Sequence, residues 1–366
     1  MCTRAGHLPI VNKTTAKLMI SEGCILIRAE LRSSKLKTIA DIFSDVLATR
    51  RGDLVFPWII SEGNTPGEGF KYVFKVAGSP IFVPHNQFPV RIPLEKKGTE
   101  YPNPISENEA LDLWRKKLLW NAIGKKSLGR GRALTHQTPW ENEVLLNLLE
   151  ERNPTSTTIK LKAFNFQNSI PISIHRNLCN NGSIKSNENV PQNLGEVKIN
   201  NIQWNTNDGK FIVEKALEAW IMECIDKNEG NSFRSTLLNG IQPSQLISFH
   251  NYLPFGVQGS SMDIVIFYRD NTGEKVALVI ELKKGTLSYQ GYKNAAIQVK
   301  NYENFIRNFL NAYSLDFQVR SAVLSFKPSD QAIKSYHQQG AILGVNWFYY
   351  EVKCTNNGPQ VNFYKV

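Results

Sequence analysis

The sequence predicts two domains, a mostly β N-terminal domain with accessory helices followed by an α/β C-terminal domain. Three features of the chain point there. Its 366 residues are too many for one ordinary compact core. Residues 50–83 are short aromatic and β-branched runs broken by Gly and Pro. From residue 209 onward, strand-like runs alternate with stretches of helical period. Between these parts, the Asn-rich and weakly periodic stretch 176–208, with Asn180, Asn181, Gly182 and Ser183, suits a linker. The expected boundaries are therefore 1–175, 176–208 and 209–366.

In the first domain, Arg50 to Ile60 reads as a turn entering a strand. After the Gly-rich residues 63–69, Phe70, Tyr72, Phe74 and Val76 alternate strictly, and Gly78, Ser79 and Pro80 lead into Ile81, Phe82 and Val83. Such short, punctuated strands predict a small barrel or a strongly bent sheet. Leu111 to Ile123 and Trp140 to Leu149 have helical period, the second with Thr138 as N-cap, Pro139 at the first helical position and Glu141 as capping-box partner. Residues 157–174 alternate enough for two more strands. Two basic clusters surround Trp114 and Trp120. A solvated helix face explains Arg115, Lys116 and Lys117 as well as DNA contact does. Lys125, Lys126, Arg130 and Arg132, in a Gly-containing loop, are the better phosphate-backbone candidates.

In the second domain, Phe211, Ile212, Leu217, Trp220, Ile221, Cys224 and Ile225 recur at helical spacing, with Glu214 and Glu218 one turn apart. Asp263 to Tyr268 is apolar enough for a buried strand. Asn271, Thr272 and Gly273 then signal a hairpin turn before a second strand, Lys275 to Leu282. Antiparallel pairing brings Asp263 beside Glu281, and Lys283, two residues on, shares the face of Glu281. Carboxylate oxygens suit a hard cation such as Mg²⁺, and a lysine beside them can orient or deprotonate an attacking water. Surface charge at strand ends is the bland explanation. Against it, Ile264, Val265, Ile266, Ile280 and Leu282 set both acids in strands that exclude water, so each needs a partner. A second amphipathic helix follows, through Ala295, Val299, Ile306 and Leu310, with Gln298 and Tyr302 four apart on one face. Residues 319–325, 345–352 and 360–364 read as further strands, the last two joined by the turn Asn356, Asn357, Gly358, Pro359.

The order Glu218, Asp263, Glu281 with Lys283, then Gln298 and Tyr302 in Q-x-x-x-Y spacing resembles the PD-(D/E)XK nuclease superfamily, and the last pair resembles its RecB-type branch. The run Ala216, Leu217, Glu218, Ala219, Trp220 is also similar to mismatch-cleaving and flap-cleaving members. The likeness spans residues 205–330. It implies a restriction-endonuclease-like mixed sheet flanked by helices, phosphodiester hydrolysis, and one or two Mg²⁺ ions for which Mn²⁺ can substitute. Asp263 and Glu281 would be metal ligands, Lys283 would activate water or stabilise the transition state, and Glu218 would serve a second metal or its water. Met262 stands where the superfamily often has proline. In the first domain, Gly52, Asp53, Leu54, Val55, Phe56 followed by an aromatic strand, Gly78 and Pro80 resembles PUA-like barrels, particularly the EVE type that binds modified bases. That implies base stacking, with Phe56, Trp58, Tyr72 and Phe74 as candidates; barrel core is the competing assignment for at least half of such rings.

The excess of 43 Lys and Arg over 32 Asp and Glu, a formal charge of +11, favours a polyanionic partner. Lys284, next to the catalytic candidate, is a further DNA-contact candidate. No segment reads as a membrane span or secretory leader, so an intracellular, cytoplasmic and nucleoid-associated location is expected. Cysteines 2, 24, 179, 224 and 354 make no C-x-x-C motif or Cys/His cluster, which argues against zinc or iron–sulfur sites and suits free thiols in a reducing compartment. The expected function is a Mg²⁺-dependent DNA endonuclease of restriction or genome-defence type, with no small-molecule cofactor, whose first domain selects a sequence or modified base. Cutting both strands calls for a homodimer. A structure-specific repair nuclease and an inactive nucleic-acid-binding protein are the alternatives.

Overall fold

The computed structural model describes residues 5–28, 36–84, 86–120, 134–179, 199–255, 260–356 and 358–366. These fall into two compact units. Unit 1 holds residues 5–28 and 45–172, and unit 2 holds 36–44, 173–179 and 199–366.

Unit 1 contains β1 (Gly6–Leu8), β2 (Ile10–Val11), α1 (Lys13–Glu22), β3 (Cys24–Ile27) and the end of α2 (Leu36–Leu47). It continues with β4 (Leu54–Val55), β5 (Trp58–Ile59), β6 (Gly69–Lys75), β7 (Ile81–Phe82), β8 (Val90–Pro93) and β9 (Lys97–Ile105). Then come α3 (Glu107–Arg115), β10 (Thr135–Gln137), α4 (Pro139–Arg152), β11 (Thr157–Lys160) and β12 (Ile170–Pro171). The strands make an eight-stranded sheet in the order β10-β1-β4-β6-β5-β2, with β9 and β11 attached to β6, and a four-stranded sheet, β12-β7-β8-β3. Among the described residues no ladder closes either sheet into a ring.

The N-cap of α4 is a capping box, with Thr138 Oγ1 accepting from Glu141 N and Glu141 Oε2 accepting from Thr138 N. Helix α3 stops at Arg115 instead of running to Ile123. Lys117 takes a left-handed φ of 59°, and Leu118 N donates back to Leu113 O. Phe56, 0% exposed, and Trp58, 4% exposed, pack with Leu8, Phe70 and Leu145 in the core, so neither presents a ring face to a ligand. Tyr72 is half-buried and stacks on Phe74 with centroids 5.9 Å apart. The alternation that placed these rings on strands carries no information on which strand face is wet.

A buried polar chain crosses the middle of unit 1. His7 Nε2 lies 2.8 Å from Asp53 Oδ2, and His7 Nδ1 lies 2.9 Å from His136 Nδ1, so one ring donates to the other. Asp53 Oδ2 also accepts from Arg50 N at 2.8 Å. The chain ties β1, β10 and the turn before β4 together.

Unit 2 contains the first part of α2, then α5 (Glu214–Cys224), α6 (Asn231–Leu237), β13 (Leu246–Phe255), β14 (Ser260–Arg269) and β15 (Lys275–Thr286). It ends with α7 (Tyr289–Ala312), β16 (Gln318–Phe326), α8 (Asp330–Gln339), β17 (Asn346–Thr355) and β18 (Gly358–Lys365). One mixed sheet runs β13 to β18 in chain order. The pairs β13–β14, β14–β15 and β17–β18 are antiparallel; β15–β16 and β16–β17 are parallel, joined by α7 and α8. Parallel neighbours need such helical crossovers. Helix α5 packs on β13 and β15, and α7 on β15 and β16.

Two expectations are corrected in unit 2. Residues 199–204, read as the end of a linker, are core: Ile199, Ile202 and Trp204 are buried, while 180–198 lie outside the described residues. Cys179 and Cys354 form a disulfide across a sequence separation of 175, instead of remaining free. Such a distant pairing leaves no local signal. Cys24 and Cys224 are buried and outside any disulfide, and burial pushes the Cys24 thiol up to about 12. Among the described residues no helix is long and apolar enough to cross a membrane.

Removing Asp53 takes the acceptor from the buried His7 Nε2 and from the Arg50 amide. Asp53→Ala should therefore lower the unfolding free energy by about 3 kcal/mol in urea denaturation, whereas Asp112→Ala, on the exposed face of α3, should change it by less than about 0.5 kcal/mol.

Candidate active site

The turn between β14 and β15 sets the register of the two strands that carry Asp263, Glu281 and Lys283. Asp270 Oδ1 accepts from Thr272 N, Thr272 Oγ1 and Glu274 N, and Gly273 supplies the left-handed φ of 88°. With the turn fixed, the ladder runs from Arg269–Lys275 to Ile264–Ile280, and its next step sets Asp263 level with Glu281. A slip of one residue would send both carboxylates to the opposite face. Ile264, Ile266, Ile280 and Leu282 occupy one face; Asp263, Val265, Val279, Glu281 and Lys283 occupy the other. Helices cover the sheet, so Glu281 is buried and Asp263 half-buried.

The ladder ends at this point, and Asp263 Oδ2 accepts from Leu282 N at 2.9 Å. Glu281 is 2% exposed. One of its oxygens, Oε1, is ion-paired with Lys283 Nζ, and the other, Oε2, is buried without a hydrogen-bond partner. Asp263 could serve as a donor to Glu281 only in its protonated form. Burial and then the Glu281 charge hold the Asp263 carboxyl well above its ordinary range. Burial likewise raises Glu281, against the opposing pull of Lys283. Burial works to lower Lys283, but the Glu281, Glu214 and Asp263 charges outweigh it and the ammonium is held above its usual range.

Helix α5 brings two more carboxylates, whose charges are felt at Asp263. Glu218 is 0% exposed and already satisfied. Its Oε1 accepts from Ser44 Oγ at 2.6 Å and Asn251 Nδ2 at 3.1 Å, and its Oε2 pairs with Lys215. Asn251 Nδ2 also donates to Ser44 Oγ at 2.8 Å. Glu214 is half-buried instead; burial raises its carboxyl, opposed by the charges of Lys283 and Lys215. On α7, Gln298 Nε2 donates to Tyr302 Oη at 2.5 Å. Burial raises the Tyr302 phenol, the Gln298 hydrogen bond lowers it, and the Glu281 and Asp263 charges raise it further.

The structure thus brings Asp263, Glu281, Lys283, Glu218 and Tyr302 together, with Gln298 half a step outside and bonded to Tyr302. Lys284 points an exposed side chain away from the buried face. Lys125, Lys126, Arg130 and Arg132 lie outside the described residues. Ser44, Lys215 and Asn251 were not anticipated. Asn251 left a faint signal, a polar residue between Phe249 and Leu253 in a strand; Ser44, 174 residues from Glu218, left none.

Among the described residues no group of three or more His, Cys, Asp or Glu side chains forms a metal cage. Two carboxylates with one unpartnered buried oxygen still fit a hard cation that keeps much of its water, since Mg²⁺ is typically held by one or two carboxylates plus water and substrate oxygens.

No family model and no curated protein matches this chain. Two solved structures resemble part of it. Over 27% of its length the chain is similar to 38% of a repair endonuclease from Pyrococcus abyssi, at 17% identity and a TM-score of 0.16. Over 26% it is similar to 36% of a chain in an EndoMS–dsDNA2 complex, again at 17% identity and a TM-score of 0.16. The chain therefore spans under two-fifths of the length of either.

A carboxyl with a raised folded-state pKa holds its proton more tightly folded than unfolded. The stability it withholds grows as pH rises through its unfolded value and levels off above its folded one. Asp263→Asn keeps an acceptor for Leu282 N and removes that charge. In EDTA it should match the parent Tm near about pH 4 and exceed it increasingly toward about pH 8, by differential scanning calorimetry.

Proposed function

We propose that the protein is a Mg²⁺-dependent endonuclease that hydrolyses DNA phosphodiester bonds, of the restriction or genome-defence type. The single observation that carries this reading is the Asp263–Glu281 pair, the first half-buried and the second buried, with Glu281 Oε2 unpartnered and Lys283 on the same strand face. Uncompensated buried carboxylates weaken a fold, and a site that needs a cation accounts for their presence.

Asp263 and Glu281 would hold the cation. When bound, it would polarise the phosphodiester and make an attacking water more acidic. Lys283, kept as an ammonium, places positive charge where a phosphorane gains negative charge and can orient the water by a hydrogen bond. Glu214, the half-buried acid of α5, is the better placed of the two helix carboxylates to accept a proton from water. Glu218, locked by Ser44, Asn251 and Lys215, fixes α5 against β13 and so positions Glu214. Tyr302, aligned by Gln298, adds a hydrogen-bond donor near the acids.

A homodimer would supply two such sites for a double-strand cut. Selection of a sequence or modified base belongs to unit 1 in this reading, but not to Phe56 or Trp58, which are core.

The test is digestion of matched DNAs, unmodified, cytosine-methylated, hydroxymethylated and branched, with and without Mg²⁺. Cleavage of linear duplex that depends on metal and modification supports the reading; cleavage of branched DNA alone supports a repair nuclease; no cleavage of any substrate overturns it. Asp263→Ala and Glu281→Ala should each lower the rate by about 10³-fold, and Lys283→Ala by about 10²-fold, with DNA affinity in Ca²⁺ kept within about threefold.

A further inference from the structure

We infer that unit 1 carries a second nucleic-acid surface that grips a single strand, its phosphates along a row of lysines and an unpaired base on Phe166. The row crosses two neighbouring strands. Lys160 on β11 is directly opposite Lys97 on β9. Lys96 and Lys162 flank that pair, and all four side chains are exposed.

Like charges facing each other across antiparallel strands oppose sheet formation. The usual remedy is an interleaved acid. Among the described residues none of these four lysines has an ion pair. Of the nearby acids, Glu68 and Glu100 are engaged by Lys71, at 3.7 and 3.2 Å, and Glu95 lies opposite Lys75 on β6, where its N–H donates to Lys75 O. The fold therefore keeps an uncompensated positive row that an extended polyanion would neutralise.

The second observation is Phe166. It follows Lys162 by four residues and is 58% exposed. Its exposure is built in, because Ser169 Oγ donates to Phe166 O at 2.6 Å and Gln167 N donates to Asn165 Oδ1 at 3.0 Å, closing the turn beneath the ring. Phe164 braces it edge-on, with centroids 5.0 Å apart. Lysines beside an exposed, braced ring are the combination that binds single strands, phosphates by charge and bases by stacking. An acidic peptide would use the lysines without the ring; a lipid surface would use both, and the vesicle arm below separates it from a strand.

This surface stands apart from the cleavage reading, and binding is measured in EDTA so that the two fail separately. The probes are a fluorescein-labelled single-stranded oligonucleotide, the matching duplex, and phosphatidylserine vesicles, titrated with the full chain between about 50 and 200 mM salt. For Lys97→Gln/Lys160→Gln we expect single-strand affinity about tenfold weaker and a log–log salt slope shallower by about 1.4, since each neutralised phosphate contributes about 0.7. The same variant should melt no lower than the parent, because the facing charges are gone. Phe166→Ala should weaken single-strand binding about tenfold, leave the salt slope unchanged and spare the duplex. Unchanged oligonucleotide binding in the lysine variant would overturn the proposal, as would lysine-dependent binding to vesicles without binding to either oligonucleotide. Equal losses for single strand and duplex in Phe166→Ala would overturn the stacking role.

Discussion

Two carboxylates side by side in a water-poor sheet repel each other and lose hydration, and the protein's own donors make good only part of that loss. Asp263 has the Leu282 amide, Glu281 has the Lys283 ammonium, and Glu281 Oε2 has no donor unless Asp263 is protonated. Much of unit 2 is arranged around holding that pair. The Asp270–Glu274 turn fixes the register that sets the pair level, α5 and α7 cover the face on which they lie, and apolar neighbours on the other face keep the strands in the core. The cost is tolerable only if something outside the chain completes the site.

Other buried acids in the same unit show what a purely structural carboxylate looks like. Glu223 accepts from Ser173 Oγ, Ile174 N and His175 N, and pins the 173–178 segment to α5. Glu303 is held by Lys300, Arg307 and Ser321 and ties α7 to β16. Glu218, with Ser44, Asn251 and Lys215, belongs with them. Every oxygen of these three has a donor. Glu281 differs in that respect, and the difference separates a site from a scaffold within one sheet. It also moves the helix contribution to the chemistry from Glu218 to the less constrained Glu214.

The hairpin was legible because its signals are local. Asn271 and Gly273 mark the turn, alternation marks the strands, and a period of two carries Glu281 and Lys283 to one face. The α4 capping box was legible for the same reason. What stayed hidden depends on contacts far along the chain: Ser44 with Glu218, Cys179 with Cys354, and the burial of Phe56 and Trp58 beneath α4 residues such as Leu145. Trp204 looked like linker because one apolar residue among asparagines has no period, yet it packs against Phe43. The facing lysines were equally invisible, since Lys97 and Lys160 become neighbours only through β-pairing.

The central claim is that the Asp263–Glu281 pair is incomplete without a divalent cation. Isothermal titration of Mn²⁺ into the apo protein, without nucleic acid, tests it most directly. We expect saturable binding in the wild type and loss of that heat in Glu281→Gln. Identical Mn²⁺ binding by the wild type and Glu281→Gln, or no binding by either, would contradict it.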